Sequence, residues 1–454
     1  MEKREIMEIL VLNGSPKGNY SVTLQTVLYL QKLNPAHNFT IVNVGQSIRK
    51  IEKDPSPVIN QMEKADLILF SYPVYTFLAP YQLHRFVELV KESKVDFTGK
   101  FVTQITTSKH FYDITAHAYI EDNCFDMGMK VIHGLSADME DLPTKTGQKQ
   151  ATDFLSFVCH CVENNIYINK KTVTSSYTPV AASKATSCPD KKGNVVVLTN
   201  KAKDDVSLQA MIDRFCAVLP YQTRVINIAE YPFKGGCLGC FNCAVTGKCV
   251  YKDGFDQFLR NDIQTADAMV YAFSIKDHSM GASFKLYTDR QFCNGHRTVT
   301  MGMPVGYLVS GNYSVETNLQ TTINARAQVG GNFLAGVATD EFDTDKQIDN
   351  LANTLSYALQ NKYVPPSNFY GVGGMKIFRD LIWMMQGMMR ADHKFYKKHG
   401  QYDFPQKQWP KMLAMYSIGA LLSSDKIKSK MGNKMNEGML MPYKKVLDQL
   451  DKHK

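Results

Sequence analysis

Long apolar runs are missing from this sequence. No stretch approaches the roughly eighteen consecutive apolar residues of a membrane-spanning helix, so we expect no transmembrane segment. The first residues, MEKREIMEILVLNG, contain neither an extended apolar core nor a small-residue cleavage site, so no signal peptide is expected. Ten cysteines, four of them within residues 237–249, suit a reducing compartment better than a disulfide framework. We therefore expect a cytoplasmic protein.

Two further absences narrow the classes of ligand. Basic and aromatic residues are not interleaved as they are in RNA-binding modules, and the net charge of +9 is mostly scattered, so no nucleic-acid partner is expected. Neither G-x-x-x-x-G-K-[ST] nor G-x-G-x-x-G follows the first predicted strand, which argues against a P-loop and against a Rossmann dinucleotide site. At 454 residues, 44% of them hydrophobic, the chain is long enough for two or three domains.

The first 170 residues, called half one below, alternate short apolar runs with longer amphipathic segments. Strands are predicted within EIMEILVLNG, HNFTIVNV, ADLILFS, GKFVTQITTS and KVIHGLSA. Helices are predicted at residues 20–32, in APYQLHRFVELVKE and at residues 144–163. Five strands separated by helices are typical of a flavodoxin-like, doubly wound parallel sheet of order 2-1-3-4-5.

The same pattern restarts after a polar stretch rich in Ser, Thr and Lys, which predicts a linker over residues 171–193. Residues 194–364, called half two below, contain the strand candidates NVVVLTN, TRVINIAE, ADAMVYAFS, MPVGYLVSG and NFLAGVATD. The segments that begin at Ala65 and Ala266 align without a gap, largely hydrophobic on hydrophobic. We therefore predict a tandem duplication of a flavodoxin-like domain. Two generic α/β domains in tandem are the alternative.

The last segment, residues 365–454, changes to helical periodicity and is predicted to be a helical C-terminal extension. Five methionines fall between residues 375 and 389, beside a basic face. Such a helix can pack on a domain or cover a pocket, because Met fills irregular surfaces well. It can also lie on a membrane surface. Packing or a lid is the favoured interpretation.

Loop one of half one, residues 14–23, has the chemistry of a phosphate site. A strand ends, a Gly/Pro turn follows and a helix begins, so the helix N-terminus offers free N–H groups and a positive dipole end. The side chains that would add hydroxyl donors and charge are Ser15, Lys17, Ser21 and Thr23. The alternative is that the small polar residues only cap the helix.

Two other loops of half one should reach the same edge of the sheet, where ligands of doubly wound folds bind. Loop three follows the third strand and supplies a rigid turn and a flat ring; it contains Pro73, Val74, Tyr75 and Thr76. Loop four supplies further donors; it contains Thr106, Thr107 and Ser108. Half two lacks the loop-one and loop-three motifs, so this ligand site is expected in half one alone.

Half two carries the cysteine loop, residues 237–249, with the sequence CLGCFNCAVTGKC. Its cysteines, in C-x2-C-x2-C-x5-C spacing, are Cys237, Cys240, Cys243 and Cys249. This spacing favours a [4Fe–4S] cluster, because zinc sites usually combine two C-x2-C turns from separate segments. Zinc and the absence of any metal remain alternatives at this stage.

These motifs resemble the NAD(P)H-dependent FMN reductases and flavodoxin-like oxidoreductases, and residues 235–253 resemble the cysteine motif of their iron–sulfur flavoproteins. The resemblance covers roughly residues 5–140 and 194–360. It implies that loop one holds the FMN phosphate and that loops three and four line the flavin ring. The sequence departs from the family at Val22, where Asn is common, and in splitting the two motifs between two domains.

The resemblance implies a flavin-dependent oxidoreductase that uses FMN and a [4Fe–4S] cluster. Electrons would pass from NAD(P)H or a protein redox partner to a small-molecule electron acceptor. If the halves pair head to head about an approximate two-fold axis, the cysteine loop of half two can face the flavin site of half one. The alternatives are a cluster-free NAD(P)H:flavin or quinone reductase, a dedicated electron carrier, and a regulatory redox sensor that uses half two as a ligand-free scaffold. A homodimer is compatible with each. No catalytic residue is assigned.

Overall fold

The computed structural model describes residues 6–170 and 177–423, with eight further residues between 437 and 449. Residues 171–176 of the predicted linker and almost all of the tail beyond residue 423 therefore lie outside the described residues. The chain divides into two compact units, Met1–Phe395 and Tyr396–Lys454. The predicted boundaries at residues 170, 194 and 364 stay predictions.

Half one alternates strands and helices as its hydrophobic pattern predicts. Its strands are β1 (Glu8–Asn13), β2 (Asn38–Val42), β3 (Leu67–Pro73), β4 (Phe101–Ser108), β5 (Lys130–Val131) and β6 (Leu135–Asp138). Its helices are α1 (Val22–Leu33), α2 (Ile48–Ile51), α3 (Ser56–Lys64), α4 (Tyr81–Glu92), α5 (Asp113–Asp126) and α6 (Lys145–Glu163).

Half two repeats the alternation, and the regular elements described after it, up to residue 423, are helices. Its strands are β7 (Lys192–Thr199), β8 (Tyr221–Asn227), β9 (Ala268–Ser274), β10 (Pro304–Ser310) and β11 (Phe333–Thr339). The helices from here on are α7 (Val206–Val218), α8 (Asn242–Thr246), α9 (Phe255–Phe258), α10 (Gly281–Arg290), α11 (Thr317–Val329), α12 (Thr344–Asn361), α13 (Phe369–Met384), α14 (Arg390–Lys398) and α15 (Trp409–Leu422).

Both sheets are parallel and have the flavodoxin-like order. In half one β1 lies between β2 and β3, and β4 follows on the far side of β3. In half two the order is β8-β7-β9-β10-β11, the same 2-1-3-4-5 arrangement. The predicted fold class is confirmed. The central strands are buried on both faces, since helices cover each side, which explains their near-continuous apolar runs.

The fifth strand of half one differs from the prediction in one respect. It is split into β5 and β6, which both pair with β4. Between them Gly134 approaches Gln104 so closely that a Cβ atom would lie 2.3 Å from the Gln104 side chain. The chain leaves the β4 ladder at this point, and pairing with β4 resumes at Leu135.

The two halves meet through reciprocal contacts between equivalent helices, α4 and α10. The amide of Tyr81 donates to Asp289 Oδ2 at 2.8 Å, and the amide of Ala282 donates to Glu88 Oε1 at 2.7 Å. In the gapless alignment Tyr81 corresponds to Ala282, and Glu88 corresponds to Asp289. Each half therefore caps the opposing helix with a carboxylate from the same position, which is the geometry of an isologous interface.

A buried hydrogen-bond cluster extends this interface. The Asp277 carboxylate of half two is bound by His84 Nδ1 at 3.0 Å and receives the Tyr119 hydroxyl at 2.9 Å, both from half one. Burial raises the pKa of this carboxyl, but its hydrogen bonds outweigh burial and hold the pKa below its usual range. A third donor, the Gly281 amide, comes from half two itself. The buried Asp277 charge is thus bound by groups of both halves, and this fixes their relative orientation.

The helices that follow half two belong to different units. In the first unit α13 packs on half one, where the Phe378 ring stacks on Phe111 at 4.3 Å and the Tyr112 hydroxyl donates to the Tyr370 carbonyl. In the second unit α15 leaves much of its apolar surface exposed, including Trp409 at 70%. In the described part of the chain, no helix is long and apolar enough to cross a membrane.

Candidate functional site

The candidate site is a cavity of about 420 Å³ at the carboxyl edge of the half-one sheet, where the two halves meet. Loops one, three and four of half one and the cysteine loop of half two all contribute to its lining. A volume of this size is typical of a site for one small organic molecule. The head-to-head arrangement thus brings the two predicted motifs into one cavity.

Loop one turns sharply at the start of the site. Gly14 lies so close to Leu83 that a Cβ atom would approach its side chain to 2.6 Å, so the backbone occupies space that only glycine allows. Ser21 caps α1, since its Oγ accepts the Leu24 amide at 3.3 Å. The capping interpretation is therefore correct for Ser21, which also lines the cavity.

Most of the predicted flavin-site residues come together. Those that line the cavity are Ser15, Lys17, Ser21, Pro73, Val74, Tyr75, Thr76, Thr107 and Ser108. Val22 also lines it, so the position that departs from the family pattern faces the cavity.

Two predicted residues lie behind the wall instead. Thr23 and Thr106 are fully buried. The Thr23 hydroxyl is 2.6 Å from that of Thr107, and the Thr106 hydroxyl is 2.8 Å from His117 Nε2. Burial lowers the pKa of His117 to about 4, so this imidazole is neutral near pH 7. Thr23 and Thr106 therefore do not line the cavity, and their contact with a bound ligand stays a prediction.

Loop three has a strained backbone that half two holds in place. Thr76 and Phe77 have φ angles of 47° and 73°, in the left-handed region that non-glycine residues rarely adopt. Lys285 Nζ donates to the Tyr75 carbonyl at 2.7 Å, and the Thr76 hydroxyl donates to Asp289 Oδ1 at 3.2 Å. The ion pair between Lys285 and Asp289, one helical turn apart on α10, thus anchors the loop at two consecutive residues.

This ion pair is almost completely inaccessible, with exposures of 3% for Lys285 and 0% for Asp289. Burial lowers the pKa of Lys285, while the neighbouring carboxylate opposes that effect. Because breaking a buried pair leaves an uncompensated charge, neither partner can be lost without cost. One sequence pattern could have revealed the pair: Lys285 and Asp289 carry opposite charges at positions i and i+4 of a predicted helix. This segment aligns with the buried face of α4.

The cysteine loop packs directly against loops one and three. A Cβ atom at Gly239, whose φ is 61°, would lie 2.0 Å from the Tyr75 hydroxyl and 3.3 Å from Lys17 Cε. The Gln82 side chain donates to the Cys237 carbonyl at 3.4 Å. The absence of a side chain at residue 239 therefore permits the contact between the two predicted motifs.

All four cysteines of the loop line the cavity. Cys240 is exposed and the other three are partly buried. Burial raises the pKa of Cys237, and it raises the pKa of Cys243 to about 11, with neighbouring carboxylate and thiol groups adding to the effect. Without a cation these two groups therefore remain thiols at neutral pH. A positively charged centre would reverse this preference, since metals bind the thiolate.

A buried arginine stands beside this thiol set. Arg290 is 1% exposed and forms a two-point ion pair with Asp253 at 2.8 Å for each contact. Burial raises the pKa of Asp253, but the hydrogen bonds and charge of Arg290 outweigh burial and lower this pKa to about 2. The guanidinium Nη2 also lies 4.0 Å from Cys249 Sγ, and its Nε has no hydrogen-bond partner. A guanidinium next to sulfur suits an anionic cluster held by thiolates.

The four cysteines and loop one differ in the groups that they could hold. Among the described residues, no three His, Cys, Asp or Glu side chains converge as ligands of a single ion, so the thiols are not arranged as a zinc tetrahedron. A [4Fe–4S] cube spreads its thiolates over four iron atoms, and one loop with four thiols beside a buried cation fits that chemistry. Loop one, with Lys17 beside the N-terminus of α1, fits a phosphate.

Comparisons with known proteins agree with the fold of half one. Residues 7–137 match the profile of a family described as having a flavodoxin-like fold. Half one is flavodoxin-like. No curated protein sequence matches the chain.

Solved structures similar to this chain are remote in sequence. An NAD(P)H:quinone oxidoreductase from Methanothermobacter marburgensis is 11% identical, with 37% of this chain and 100% of that chain covered and a TM-score of 0.28. The flavoenzyme FerB, an NAD(P)H:(acceptor) oxidoreductase from Paracoccus denitrificans, is 15% identical, with coverages of 35% and 98% and a TM-score of 0.29. General stress protein 14 from Treponema denticola, solved with FMN, is 13% identical, with coverages of 34% and 99% and a TM-score of 0.29.

Proposed function

We propose that this protein is a flavin-dependent oxidoreductase that binds FMN in half one and a [4Fe–4S] cluster on the cysteine loop of half two. Electrons would pass from NAD(P)H or a protein donor to a small organic acceptor. The observation that carries the proposal is that loops one, three and four and all four loop cysteines line one cavity. The reciprocal contacts of α4 and α10 support descent of the two halves from one duplicated domain.

The residues of loop one would hold the phosphate. Lys17 has no carboxylate within 4 Å among the described residues, so its charge is available to an anion. The first N–H groups of α1 lack intrahelical acceptors and point toward the same end of the helix. Ser15, 1% exposed, and Ser21 place hydroxyl groups at the cavity wall. Together these groups offer the charge and donors that a phosphate monoester requires.

Loop three would hold the ring. Pro73 fixes the exit from β3, and Tyr75 presents a half-buried aromatic ring between loop one and the cysteine loop. Burial raises the pKa of Tyr75 well above its ordinary value, so its hydroxyl stays protonated. The Lys285–Asp289 pair keeps this loop in its strained conformation, which limits the reorganisation that ligand binding would otherwise require.

The cysteine loop and Arg290 would hold the cluster. When bound, FMN supplies hydride acceptance with single-electron release, and a [4Fe–4S] cluster carries one electron at a time. The close contact of Gly239 with Tyr75 supports electron exchange between the two proposed groups, because the loops that would hold them touch at this point. Ile377, Phe378 and Leu381 of α13 add apolar surface to the lining of the cavity.

The test is an anaerobic purification followed by an absorption spectrum, identification of the released flavin, and assays of iron and acid-labile sulfide. We expect one FMN per chain, with iron and sulfide in equal amounts. The Cys243→Ser variant should lose iron and keep FMN, because the flavin loops belong to the other half. The matched control is Cys188→Ser, since Cys188 lies outside the loop and its thiol contacts the Val218 carbonyl.

Each alternative predicts a different result. Intact FMN without iron or sulfide would leave a cluster-free reductase, and two flavins per chain would contradict the assignment to half one. An enzyme should oxidise NAD(P)H with a small acceptor by itself, whereas an electron carrier requires a protein donor. Iron that remains in Cys243→Ser at the level of the Cys188→Ser control would exclude Cys243 as a ligand.

A further inference from the structure

Part of the cavity lining comes from half two outside the cysteine loop. One group of these residues, called the inner chamber below, consists of Met269, Tyr271, Val305, Tyr307, Arg326 and Asn332. The first four come from the face of the half-two sheet, on β9 and β10. The rings of Tyr271 and Tyr307 lie nearly parallel, with centroids 5.1 Å apart. No motif of the predicted flavin or cysteine sites accounts for this part of the cavity.

Some of the Lys and Arg side chains that line the cavity form ion pairs with carboxylates, and others do not. Five basic side chains line it: Lys17, Lys109, Arg290, Arg297 and Arg326. Three of these have a carboxylate partner, namely Lys109 with Asp138 at 2.8 Å, Arg290 with Asp253 at 2.8 Å and Arg297 with Asp392 at 3.7 Å. Within the described ranges, Lys17 and Arg326 have no carboxylate within 4 Å. Lys17 lies at the proposed phosphate end, and Arg326 lies in the inner chamber.

Arg326 is surrounded by neutral groups. Its Nη2 donates to Gln291 Oε1 at 3.4 Å, and its guanidinium carbon lies 5.9 Å from the centre of the Phe77 ring. The positive charge of the same side chain acts to lower the pKa of Tyr271 and of Tyr307, so it lies near both phenol groups. A guanidinium can only donate hydrogen bonds, so it cannot accept the proton of either hydroxyl.

The two tyrosines cannot act as counter-ions. Burial raises the pKa of each above its ordinary value, and the nearby arginine only partly offsets that effect. Both therefore stay neutral O–H donors at physiological pH. A half-buried arginine flanked by neutral donors is suited to a planar oxyanion, which it can bind with two parallel hydrogen bonds. The neighbouring Met269, Val305 and Phe77 suit an apolar ring.

We propose that the inner chamber binds the carboxylate of a small aromatic acid, with Arg326 as the anchor. This assignment rests on the proposed function in one respect: such an acid would be the electron acceptor, held with its ring toward the flavin loops. Phe77, which contacts Arg326, directly follows Thr76 of loop three, so the anchor lies within one residue of the proposed ring site. The binding itself depends only on the inner chamber.

The test compares 4-nitrobenzoate with its methyl ester, which keeps the ring and removes the charge. Isothermal titration of the full-length protein as purified should show at least tenfold tighter binding of the acid. Arg326→Gln should abolish that preference while changing affinity for the ester less than threefold, and Arg326→Lys should restore part of it. The control is Arg224→Gln, since Arg224 lies on the exposed face of the edge strand β8 and should change neither affinity.

The outcomes separate this inference from the proposed function. Equal binding of acid and ester by the parent protein, or an unchanged preference in Arg326→Gln, would overturn the carboxylate site. Loss of FMN in Arg326→Gln would also overturn it, because the arginine would then belong to the flavin site. A chain that contains no flavin but shows an Arg326-dependent preference would support the site and refute the proposed oxidoreductase.

Discussion

His278 provides a direct test of the contact between the two halves. Its Nε2 lies 3.0 Å from Asp126 Oδ2 of half one, and its Nδ1 lies 2.9 Å from Glu316 Oε2 of half two. Burial lowers the pKa of this imidazole, but the hydrogen bonds to the two carboxylates outweigh it and raise the pKa to about 10. The protonated ring therefore joins the halves whose contact forms the cavity.

The expected size follows from the difference between folded and unfolded pKa values. Raising the pKa from 6.5 to about 10 corresponds to roughly 5 kcal/mol of folding free energy, at about 1.4 kcal/mol per pH unit. Because the folded value is the higher one, this stabilisation is fully present below pH 6.5. It decreases as the pH rises and is lost above pH 10. Between pH 6 and pH 9 the loss should be about 3 kcal/mol.

The assay is urea denaturation of the parent and of His278→Asn at pH 6 and pH 9. Asparagine suits the position, since His278 has a φ angle of 56° and Asn tolerates the left-handed region. The difference in free energy of unfolding between the two proteins should shrink by about 3 kcal/mol at the higher pH. The control is His160→Asn on the exposed surface of α6, where no such change is expected.

An equal difference at both pH values would refute the reasoning. It would mean that His278 is neutral in the folded protein and that the contact between Asp126 and Glu316 does not depend on its charge. A decrease of the same size in the His160→Asn control would show that the effect comes from general titration of the chain.

Three further changes test other parts of the site. Lys17→Gln should weaken FMN binding by about 10- to 150-fold in a fluorescence titration, since hydrogen bonds to charged groups contribute about 1.5–3 kcal/mol; unchanged affinity would exclude Lys17 from the phosphate site. Asp289→Leu should lower the free energy of unfolding by about 3–5 kcal/mol, because the Lys285 charge is left buried. The double variant Lys285→Met/Asp289→Leu should be markedly more stable than that single variant in urea, and equal stability would argue against an uncompensated charge. Phe378→Ala should raise the KM for the acceptor several-fold without loss of FMN, since the ring stacks on Phe111 at the cavity wall; an unchanged KM would make α13 peripheral.

The sequence alone determined the layered fold of both halves. Short β-rich runs between amphipathic segments fix parallel βαβ units, because each strand must be buried on both faces. The turn chemistry of Gly14 and Pro73 likewise marks the ends of β1 and β3 before any tertiary contact is known. Local rules also locate the cysteine loop, since its glycines and thiols lie within thirteen residues.

Sequence could not separate cavity-lining hydroxyls from buried ones. Thr23 and Thr107 were both plausible ligand groups, yet the Thr23 side chain points to the neighbouring loop and only Thr107 reaches the cavity. The direction of a side chain near a helix N-terminus depends on which strand the helix packs against. That information is absent from the spacing of polar residues.

Only the tertiary structure decided how one half completes the site of the other. Lys285 and Asp289 are more than 200 residues from Tyr75 and Thr76, and nothing in the local pattern joins them. The role proposed for Arg326 also depends on the tertiary structure. A lone arginine on a helix is usually solvated, and only the fold places this one in the lining of the cavity. The physical reason is that burial, and with it the cost of an unpaired charge, arises only when α4 and α10 bring the two halves into contact.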